Sequence, residues 1–226
     1  MTYIRGDIAE FDLWEDLGNP GWNWASMLPY YKMSEKYTIP SDAELAAGAN
    51  YQARYHGFEG HVHTGYIPTL TNGSFAPVVI QTWEALSLVR NPDLNSGDTR
   101  GFSMGPQTLD PETNIRWDSA RAYLHPVEGR HNLKVLKGTV KRITWAPGKA
   151  MRPPCGSSDL VANGVEYFTE DGELHSITVK KEVVVSAGAV RSPLVLEGSG
   201  IGNPRLEASL SPKPQWESNR DICVGS

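Results

Sequence analysis

The chain has 226 residues, of which 39% are hydrophobic and 21% are charged. This length and composition suit one large domain or two small ones, and they exclude a disordered polypeptide and a membrane protein. The formal charge of −5 at pH 7, without clusters of Lys and Arg, argues against a nucleic-acid surface. Cys155 and Cys223 are too few and too far apart for a disulfide scaffold or a cysteine zinc site. The first residues lack a basic region followed by an apolar run, so no secretory signal is expected on this chain.

Two helices are predicted in the first quarter of the chain. The first carries an apolar stripe at three-to-four spacing and ends at the turn-forming residues 18–21. Its stripe consists of Ile8, Phe11, Trp14 and Leu17. The second helix covers roughly Ser26 to Lys36, where Pro29 is tolerated if it lies in the first turn. The tryptophans of this region are expected to pack in the core, because aromatic side chains dominate core burial.

Residues 38–73 are predicted to be irregular with short strands. His61 and His63 share one face if they lie on a strand, and His56 is nearby. A metal site is conceivable here, but no carboxylate or Cys lies at ligand spacing, and zinc normally takes three or four protein ligands. Histidines on a polar strand or loop are therefore the favoured interpretation.

A further amphipathic helix, a turn-rich segment and a strand are predicted next. The apolar residues of the helix are Phe75, Val79, Trp83 and Leu86. Segment Asn91 to Asp98 carries side chains of the calcium-ligand type but lacks the full EF-hand pattern, so it is expected to form turns. A strand near Gly101 to Leu109 and a short helix near Trp117 to Leu124 are expected to follow.

The last third of the chain changes to a strand-rich pattern. Strands are predicted at Leu133 to Leu136, Thr139 to Trp145, Gly164 to Phe168 and Glu173 to Val179, with a turn at Asp171-Gly172. The fully apolar run Val183 to Val185 is typical of an interior strand covered on both faces. Ser192 and Pro193 are then predicted to be the N-cap and first residue of a helix that Gly200 or Gly202 ends.

The glycine-rich segment Gly198 to Gly202 does not by itself indicate a cofactor or a nucleophile. Its glycines follow a helix, whereas a dinucleotide fingerprint follows a strand and opens a helix. A serine-hydrolase elbow would place Gly two residues before Ser199, where this chain has Glu197. A helix stop is the favoured interpretation.

The longer segment Ser186 to Gly202 resembles the second signature of the glucose–methanol–choline (GMC) family of flavin oxidoreductases. The matching positions are Gly188, Ala189, Ser192, Pro193, the apolar pair Val195 and Leu196, and residues 199–202. Other segments are similar to successive family segments in the same order: residues 18–24, 56–65, 91–98, 118–121 and 132–136. Only about residues 204–226 do not match.

The resemblance implies a mixed α/β (α+β) fold with part of a Rossmann-like FAD-binding domain and part of a sheet-and-helix substrate domain. It divides the chain into a helical connecting segment (1–50), a partial substrate domain (51–116), a partial FAD-binding domain (117–202) and an irregular tail (203–226). The implied chemistry is hydride transfer from the CH–OH group of an alcohol to FAD, which carries the hard step. The implied partners are FAD and a small alcohol, without nucleic acid or membrane.

Two cofactor contacts follow from the resemblance. Thr2 matches a threonine that approaches the isoalloxazine ring, and Val140 matches a valine whose backbone pairs with the adenine. Two alternatives stay open, namely that Thr2 is a mobile terminus and that Val140 is an ordinary strand residue. If both Val140 and residues 183–187 border one adenine site, Val140 should lie on a strand near them.

The family's pyrophosphate loop, acidic ribose ligand and catalytic His–His or His–Asn pair have no match in this chain. No catalytic residue and no metal ligand is therefore assigned. The expectation is a fragment of a FAD-dependent oxidoreductase that is inactive as this isolated chain. The alternative is a catalytically dead truncated product with at most a binding role, which the polar, aperiodic residues 209–226 favour. An unrelated α+β binding module would fit the composition but would leave the signature unexplained.

Overall fold

The computed structural model describes residues 2–73, 75–146 and 161–202. The chain divides into two compact units, Met1–Lys134 and Val135–Ser226, called here the N-terminal and C-terminal units. Helices and strands are mixed along the chain, in agreement with the expected fold class. The predicted tail 203–226 and both cysteines lie outside the described residues.

The N-terminal unit begins with helices α1 (Ile8–Asp16) and α2 (Trp24–Ser34). Helix α1 confirms the first predicted helix, and a capping box formed by Asp7 and Glu10 starts it. Helix α2 begins two residues before the predicted start, because the Asn23 side chain accepts the N–H of Ser26 and caps it there. Pro29 therefore lies inside the helix and not in its first turn, which corrects the prediction.

The tryptophans of this region do not share one environment. Trp24 is buried, and its ring packs 5.6 Å, centroid to centroid, from Phe11. Trp14 and Trp22 are more than half exposed, so the expectation that they pack in the core is wrong for these two residues. Amphipathic spacing identifies a helical face, but it does not by itself establish that another element covers the face.

Helices α3 (Asp42–Ala46) and α4 (Phe75–Ala85) lie further along the N-terminal unit. Helix α4 confirms the predicted helix, but its most buried residues are Ala76 and Ile80, while Phe75 is 79% exposed. Ala76 belongs to the apolar core of this unit, which also contains Tyr37, Ala49, Tyr66 and Leu70. The small Ala76 thus allows close packing where the pattern favoured the larger Phe75.

The strands of the N-terminal unit are short. Strand β1 (Glu35–Tyr37) pairs in parallel with β2 (Val62–Thr64), and β3 (Leu109–Asp110) pairs antiparallel with β4 (Ile115–Arg116).

The continuous strand predicted over 101–109 is wrong. Its residues Phe102, Met104 and Gln107 form isolated bridges to different loops. No single neighbouring strand runs beside all of them, so the segment cannot build a ladder. The short helix predicted near 117–124 is present as a π-helix, Ala120–Leu124, followed by a 3-10 turn, His125–Val127.

The C-terminal unit contains an antiparallel sheet of β5 (Thr139–Trp145), β6 (Ala162–Phe168) and β7 (Leu174–Thr178), in the order β5-β6-β7. These three strands confirm the sequence prediction. Gly172, with φ +85°, supplies the left-handed conformation in the turn between β6 and β7. No strand forms at residues 133–136, so that prediction is wrong.

The interior strand predicted at Val183 to Val185 is also wrong. These residues belong to no helix or strand, and Val184 is 77% exposed. An apolar run becomes an interior strand only where neighbouring strands flank it on both sides. Among the described residues, no strand pairs with this run.

Helix α5 (Gly188–Gly198) starts earlier than predicted and ends as predicted. Because the helix begins at Gly188, Ser192 and Pro193 both lie inside it, and the prediction that they are its N-cap and first residue is wrong. The Ser192 hydroxyl instead accepts the N–H of Ala187. At the other end, Gly200 adopts φ +84° and donates its N–H to Glu197 O at 2.9 Å. Ile201 N–H also donates, to Leu196 O at 2.9 Å, which completes a Schellman motif and confirms the helix stop. Within the described ranges, no helix is long and apolar enough to cross a membrane.

Candidate functional site

Thr2, the first predicted cofactor contact, lies on a backbone segment that is held in the N-terminal unit. Thr2 forms an isolated antiparallel bridge with Gln107, and the N–H of Tyr3 donates to Pro106 O at 2.8 Å. The Thr2 side chain is exposed. The structure therefore presents an accessible hydroxyl on anchored backbone, and the role of Thr2 at a flavin stays a prediction.

Four charged or ionisable side chains meet in the interior of the same unit. Arg5, Glu35, His56 and Asp93 are each at most 3% exposed. Arg5 Nη2 lies 2.8 Å from Glu35 Oε2, and His56 Nδ1 lies 3.0 Å from Glu35 Oε1. On the other side of the ring, His56 Nε2 lies 3.0 Å from Asp93 Oδ2. We call these four residues the charged cluster.

The charged cluster is assembled from four separate stretches of sequence. Arg5 precedes α1, Glu35 opens β1, His56 follows the 3-10 turn Ala53–Tyr55, and Asp93 lies in the segment between α4 and β3. Sequence reasoning did not identify the cluster, because each member looks like an ordinary surface residue in its local pattern.

The segment 91–98 forms turns through its own side chains, as predicted. Asp93 N–H donates to Asn91 Oδ1 and Asn95 N–H donates to Asp93 Oδ1, each at 2.8 Å. Asn91, Asp93 and Asn95 are all buried. Their oxygens are therefore used to shape the chain and to satisfy interior donors.

Asn95 connects the charged cluster to the segment that carries Thr2. Its Oδ1 accepts the N–H of Arg5 at 3.0 Å, and its Nδ2 donates to Tyr3 O at 3.2 Å. A side-chain amide can satisfy both a backbone donor and a backbone acceptor in this way. The buried Asn95 side chain thus fixes the backbone of Tyr3 and Arg5. These residues belong to the same segment as Thr2, which forms the bridge to Gln107.

The pKa values in the charged cluster follow from burial and from direct hydrogen bonds. Burial lowers the pKa of His56, but hydrogen bonds to Asp93 and Glu35 outweigh it, so the net pKa is raised above 6.5. Burial raises the pKa of Asp93, but the hydrogen bonds from His56 and from the Gln52 backbone outweigh it, so the net pKa is lowered. Burial, together with the charge of Glu35, raises the pKa of Tyr3 to about 12.

Backbone atoms pack closely around Glu35. Gly57 N–H donates to Glu35 Oε2 at 2.9 Å, and a Cβ at Gly57 would collide with the backbone of Lys32. A Cβ at Gly60 would collide with the backbone of Ser34. Glycine is required at both positions because only a chain without side chains can pass this close to the end of α2.

His61 and His63 lie at β2, close to aromatic rings. The His63 ring stacks on Trp117 with centroids 3.9 Å apart, and the His61 ring meets Tyr123 edge-on at 5.7 Å. Burial, followed by the charge of Lys36, lowers the pKa of His63. In the part of the chain that the structure describes, no group of three or more His, Cys, Asp or Glu could hold a metal ion.

Val140, the second predicted cofactor contact, lies on β5 in the C-terminal unit. Among the described strands, β5 is at the edge of its sheet. Val140 pairs with Tyr167, but the register then moves to Arg142 opposite Glu166, which leaves Lys141 as the extra residue of a β-bulge. Val140 is therefore a half-exposed edge residue beside an irregularity of the ladder.

One face of this sheet borders an apolar cavity of about 250 Å³. The cavity is lined by Leu136, Gly138, Val140, Val165, Tyr167 and Ile177. None of these described lining residues is charged. A flat, largely apolar group such as an aromatic ring suits this lining better than an ion does.

Ser199 joins the end of α5 to β5. Its hydroxyl accepts the N–H of Ile143 at 2.8 Å and its carbonyl accepts Trp145 Nε1–H at 2.8 Å. Ser199 is buried and also donates to Val195 O. This serine is a structural link between the helix and the sheet.

Residues 1–214 of the chain match the family described as GMC oxidoreductase. Because this match covers nearly all of the sequence, the chain belongs to the GMC oxidoreductase family. The resemblance carried by Ser186 to Gly202 is thereby confirmed, and an unrelated α+β binding module is excluded.

Curated relatives include the glucose oxidase-like protein fsoC of Humicola fuscoatra, which is 64% identical over 192 residues, 85% of this chain and 32% of that protein. Glucose oxidase of Aspergillus carbonarius is 35% identical over 205 residues, 89% of this chain and 32% of that protein. Mitochondrial choline dehydrogenase of Mus musculus is 31% identical over 204 residues, 90% of this chain and 30% of that protein. The chain thus spans about a third of the length of these relatives.

Solved structures of oxidoreductases are also similar to this chain. A FAD-dependent oxidoreductase from Chaetomium thermophilum superimposes with a TM-score of 0.77 at 32% identity, over 93% of this chain and 34% of that chain. A fungal aryl-alcohol oxidase gives a TM-score of 0.75 at 24% identity, over 90% of this chain and 33% of that chain, and supports the fold alone.

Proposed function

We propose that this chain is part of a FAD-dependent oxidoreductase that acts on the CH–OH group of an alcohol or a sugar. The observation that carries the proposal is the GMC oxidoreductase match over residues 1–214. Relatives named as glucose oxidase, glucose dehydrogenase and choline dehydrogenase support this class of donor. When bound, FAD supplies the hydride acceptor, and the protein supplies binding and orientation.

Val140 is proposed to read the adenine end of FAD through its backbone. An adenine edge needs one donor and one acceptor, which an edge strand offers without a special side chain. Support comes from the position of Val140 on β5 and from the bulge at Lys141, because the regular ladder to β6 does not continue there. Bulges of this kind are common beside binding sites. These features support an adenine contact at Val140.

Thr2 is proposed to approach the flavin ring from the N-terminal unit. Support comes from its exposed hydroxyl and from the anchoring of the backbone at Gln107 and Pro106. A preorganised contact loses less conformational entropy on binding than a mobile one. The role proposed for Thr2 is orientation, and no proton transfer is assigned to it.

The isolated 226-residue chain is proposed to bind FAD weakly and to lack turnover. The sequence contains no Gly-x-Gly-x-x-Gly run that opens a helix after a strand, so that source of backbone donors for the pyrophosphate is missing. No catalytic base is assigned to this chain, and the loss of a general base costs about 10²- to 10⁴-fold in rate. Two peripheral contacts remain.

A titration of the ¹⁵N-labelled chain with AMP, FMN and FAD tests the adenine contact. We expect AMP and FAD to shift the backbone amide signals of Val140 and Lys141 at millimolar concentration, and FMN, which lacks adenine, to leave them in place. If FMN shifts the same signals, or if AMP shifts none of them, the adenine assignment of Val140 is wrong.

Alcohol-dependent bleaching of added FAD, with glucose, choline and benzyl alcohol as probes, tests turnover. The expected rate equals that of FAD alone. Stoichiometric tight FAD binding, or bleaching above the flavin-only control, would show that the chain carries more of the active site than proposed.

A further inference from the structure

The charged cluster and Asn95 form a closed ring of hydrogen bonds that begins and ends at Arg5. The Arg5 backbone N–H donates to Asn95 Oδ1, and Asn95 N–H donates to Asp93 Oδ1. Asp93 Oδ2 lies at His56 Nε2, and His56 Nδ1 lies at Glu35 Oε1. Glu35 Oε2 accepts Arg5 Nη2–H at 2.8 Å and closes the ring. This closed ring of hydrogen bonds therefore links the segment that carries Thr2 to the interior through both the backbone and the side chain of Arg5.

The protonation of His56 decides whether this ring is complete. A neutral imidazole has one N–H, so one of its two nitrogens would direct a lone pair at a carboxylate oxygen only 3.0 Å away. An imidazolium donates from both nitrogens. It also balances the charges, because Arg5 and His56 then supply two positive charges against those of Glu35 and Asp93. Buried charges are tolerated when they are paired and hydrogen-bonded in this way.

We infer that Glu35, His56 and Asp93 position the Thr2–Arg5 segment, and that they do so with His56 as an imidazolium that donates to both carboxylates. The inference rests on the proposed function in one respect only, namely that Thr2 of this segment contacts the flavin. His56 is a positioning residue in this scheme, because it acts on Thr2 through Asp93 and Asn95.

The remaining neighbours of His56 are compatible with a cation. The Tyr37 ring stacks on the imidazole with centroids 3.9 Å apart, and the Tyr51 ring lies at 6.4 Å. Burial raises the pKa of Tyr37, so its hydroxyl stays neutral. Arg5 contacts Oε2 of Glu35, the oxygen that lies 3.2 Å from His56 Nδ1, and the Glu35 carboxylate offsets the charge of Arg5.

Histidine NMR on the ¹⁵N-labelled 226-residue chain tests the protonation state directly. At pH 8, where an ordinary histidine is neutral, we expect His56 to show the doubly protonated ¹⁵N pattern. A neutral His56 pattern at this pH overturns the inference. The measurement uses the native sequence, so it does not depend on whether any variant folds.

Amide exchange tests the positioning role. When the pH rises through the deprotonation of His56, we expect the protection factor of the Arg5 amide to fall about tenfold or more. The Leu86 amide, which donates to Thr82 O at the end of α4, should keep its protection. Equal losses at Arg5 and Leu86 would indicate unfolding of the unit and would overturn a specific positioning role.

His56→Gln and His125→Gln form a matched pair of variants. Glutamine at 56 is neutral and carries both of its amide hydrogens on one nitrogen, whereas Glu35 and Asp93 meet different nitrogens of the imidazole. It therefore cannot reproduce both contacts, and Arg5 protection should be low and independent of pH in His56→Gln. His125→Gln alters an exposed pair with Glu128 and should retain the native profile. An unchanged Arg5 profile in a folded His56→Gln variant would overturn the inference. Because no readout uses flavin, failure of the proposed cofactor contacts would leave these results unaffected.

Discussion

The interior of the N-terminal unit and the sheet of the C-terminal unit are stabilised in different ways. In the N-terminal unit the largest fully buried side chains are polar, namely His56, Glu35, Asn95 and Thr64. The strands there are at most three residues long, and side chains bind backbone groups that no ladder satisfies. In the C-terminal unit, two seven-residue strands and one five-residue strand pair with one another through backbone hydrogen bonds. Where regular structure is sparse, single polar side chains carry more of the stability.

Glu35→Gln should give the largest effect in this comparison. It leaves Arg5 and His56 facing a neutral amide in the interior, and breaking a buried pair in this way costs about 3–5 kcal/mol. The corresponding change in the C-terminal sheet is Glu166→Gln, whose partner Arg142 is partly exposed. That variant should lose only about 1 kcal/mol. Urea unfolding followed by far-UV circular dichroism measures both, and equal losses would contradict the proposed difference between the units.

Ser199→Ala should give a smaller effect, in the C-terminal unit. The substitution leaves the buried Ile143 N–H without its acceptor, which costs about 1–3 kcal/mol. The control is Ser176→Ala on β7, where the side chain is exposed and the expected change lies within about 0.5 kcal/mol. Urea midpoints of the two variants make the comparison. An unchanged urea midpoint in Ser199→Ala would show that the Ser199 hydroxyl does not contribute to stability.

The pH dependence of stability should also differ between the units. His56 has a raised pKa, so its contribution is complete below pH 6.5 and is lost as pH rises through the folded value. Asp93 has a lowered pKa, so its contribution is present above pH 3.8 and is lost as pH falls through the folded value. The effect should be smaller than that of a substitution, because every side chain stays in place.

Urea unfolding followed by far-UV circular dichroism, at pH values from 4 to 9, should therefore show greatest stability on the mildly acidic side of neutrality. A stability that keeps rising from pH 7 to pH 9 would contradict the role given to His56. His56→Gln should remove the alkaline loss, while His125→Gln should retain it.

The same difference between the units explains what could be predicted from the sequence. Strands β5 to β7 were predictable because alternation and the Asp171-Gly172 turn are local signals. Pairing between Glu35, His56 and Asp93 has no local signal, since these residues are 21 and 37 positions apart. The Val183 to Val185 run shows the opposite failure. Its apolar pattern predicted an interior strand, but an interior strand also requires a neighbouring strand on each side, and the local sequence does not indicate whether such neighbours are present. At Ser192, a residue with good N-cap chemistry lies inside the helix and acts from there on Ala187.

The smallest expected effect concerns the apolar face of the C-terminal sheet. Ile177 lines the cavity but is 42% exposed, so Ile177→Ala should lower the free energy of unfolding by about 1 kcal/mol or less.

The Ile177→Ala variant also separates two ways of binding a purine. If Val140 reads adenine through the edge of β5, the AMP-induced amide shifts at Val140 and Lys141 should persist in Ile177→Ala, because a strand backbone is unchanged by truncation of a side chain on β7. If those shifts instead weaken several-fold while the urea midpoint stays near that of the native chain, the purine binds on the face of the sheet, in the cavity that Ile177 lines. The NMR titration with AMP, repeated on Leu174→Ala as a control on β7 outside the cavity lining, decides between the edge and the face.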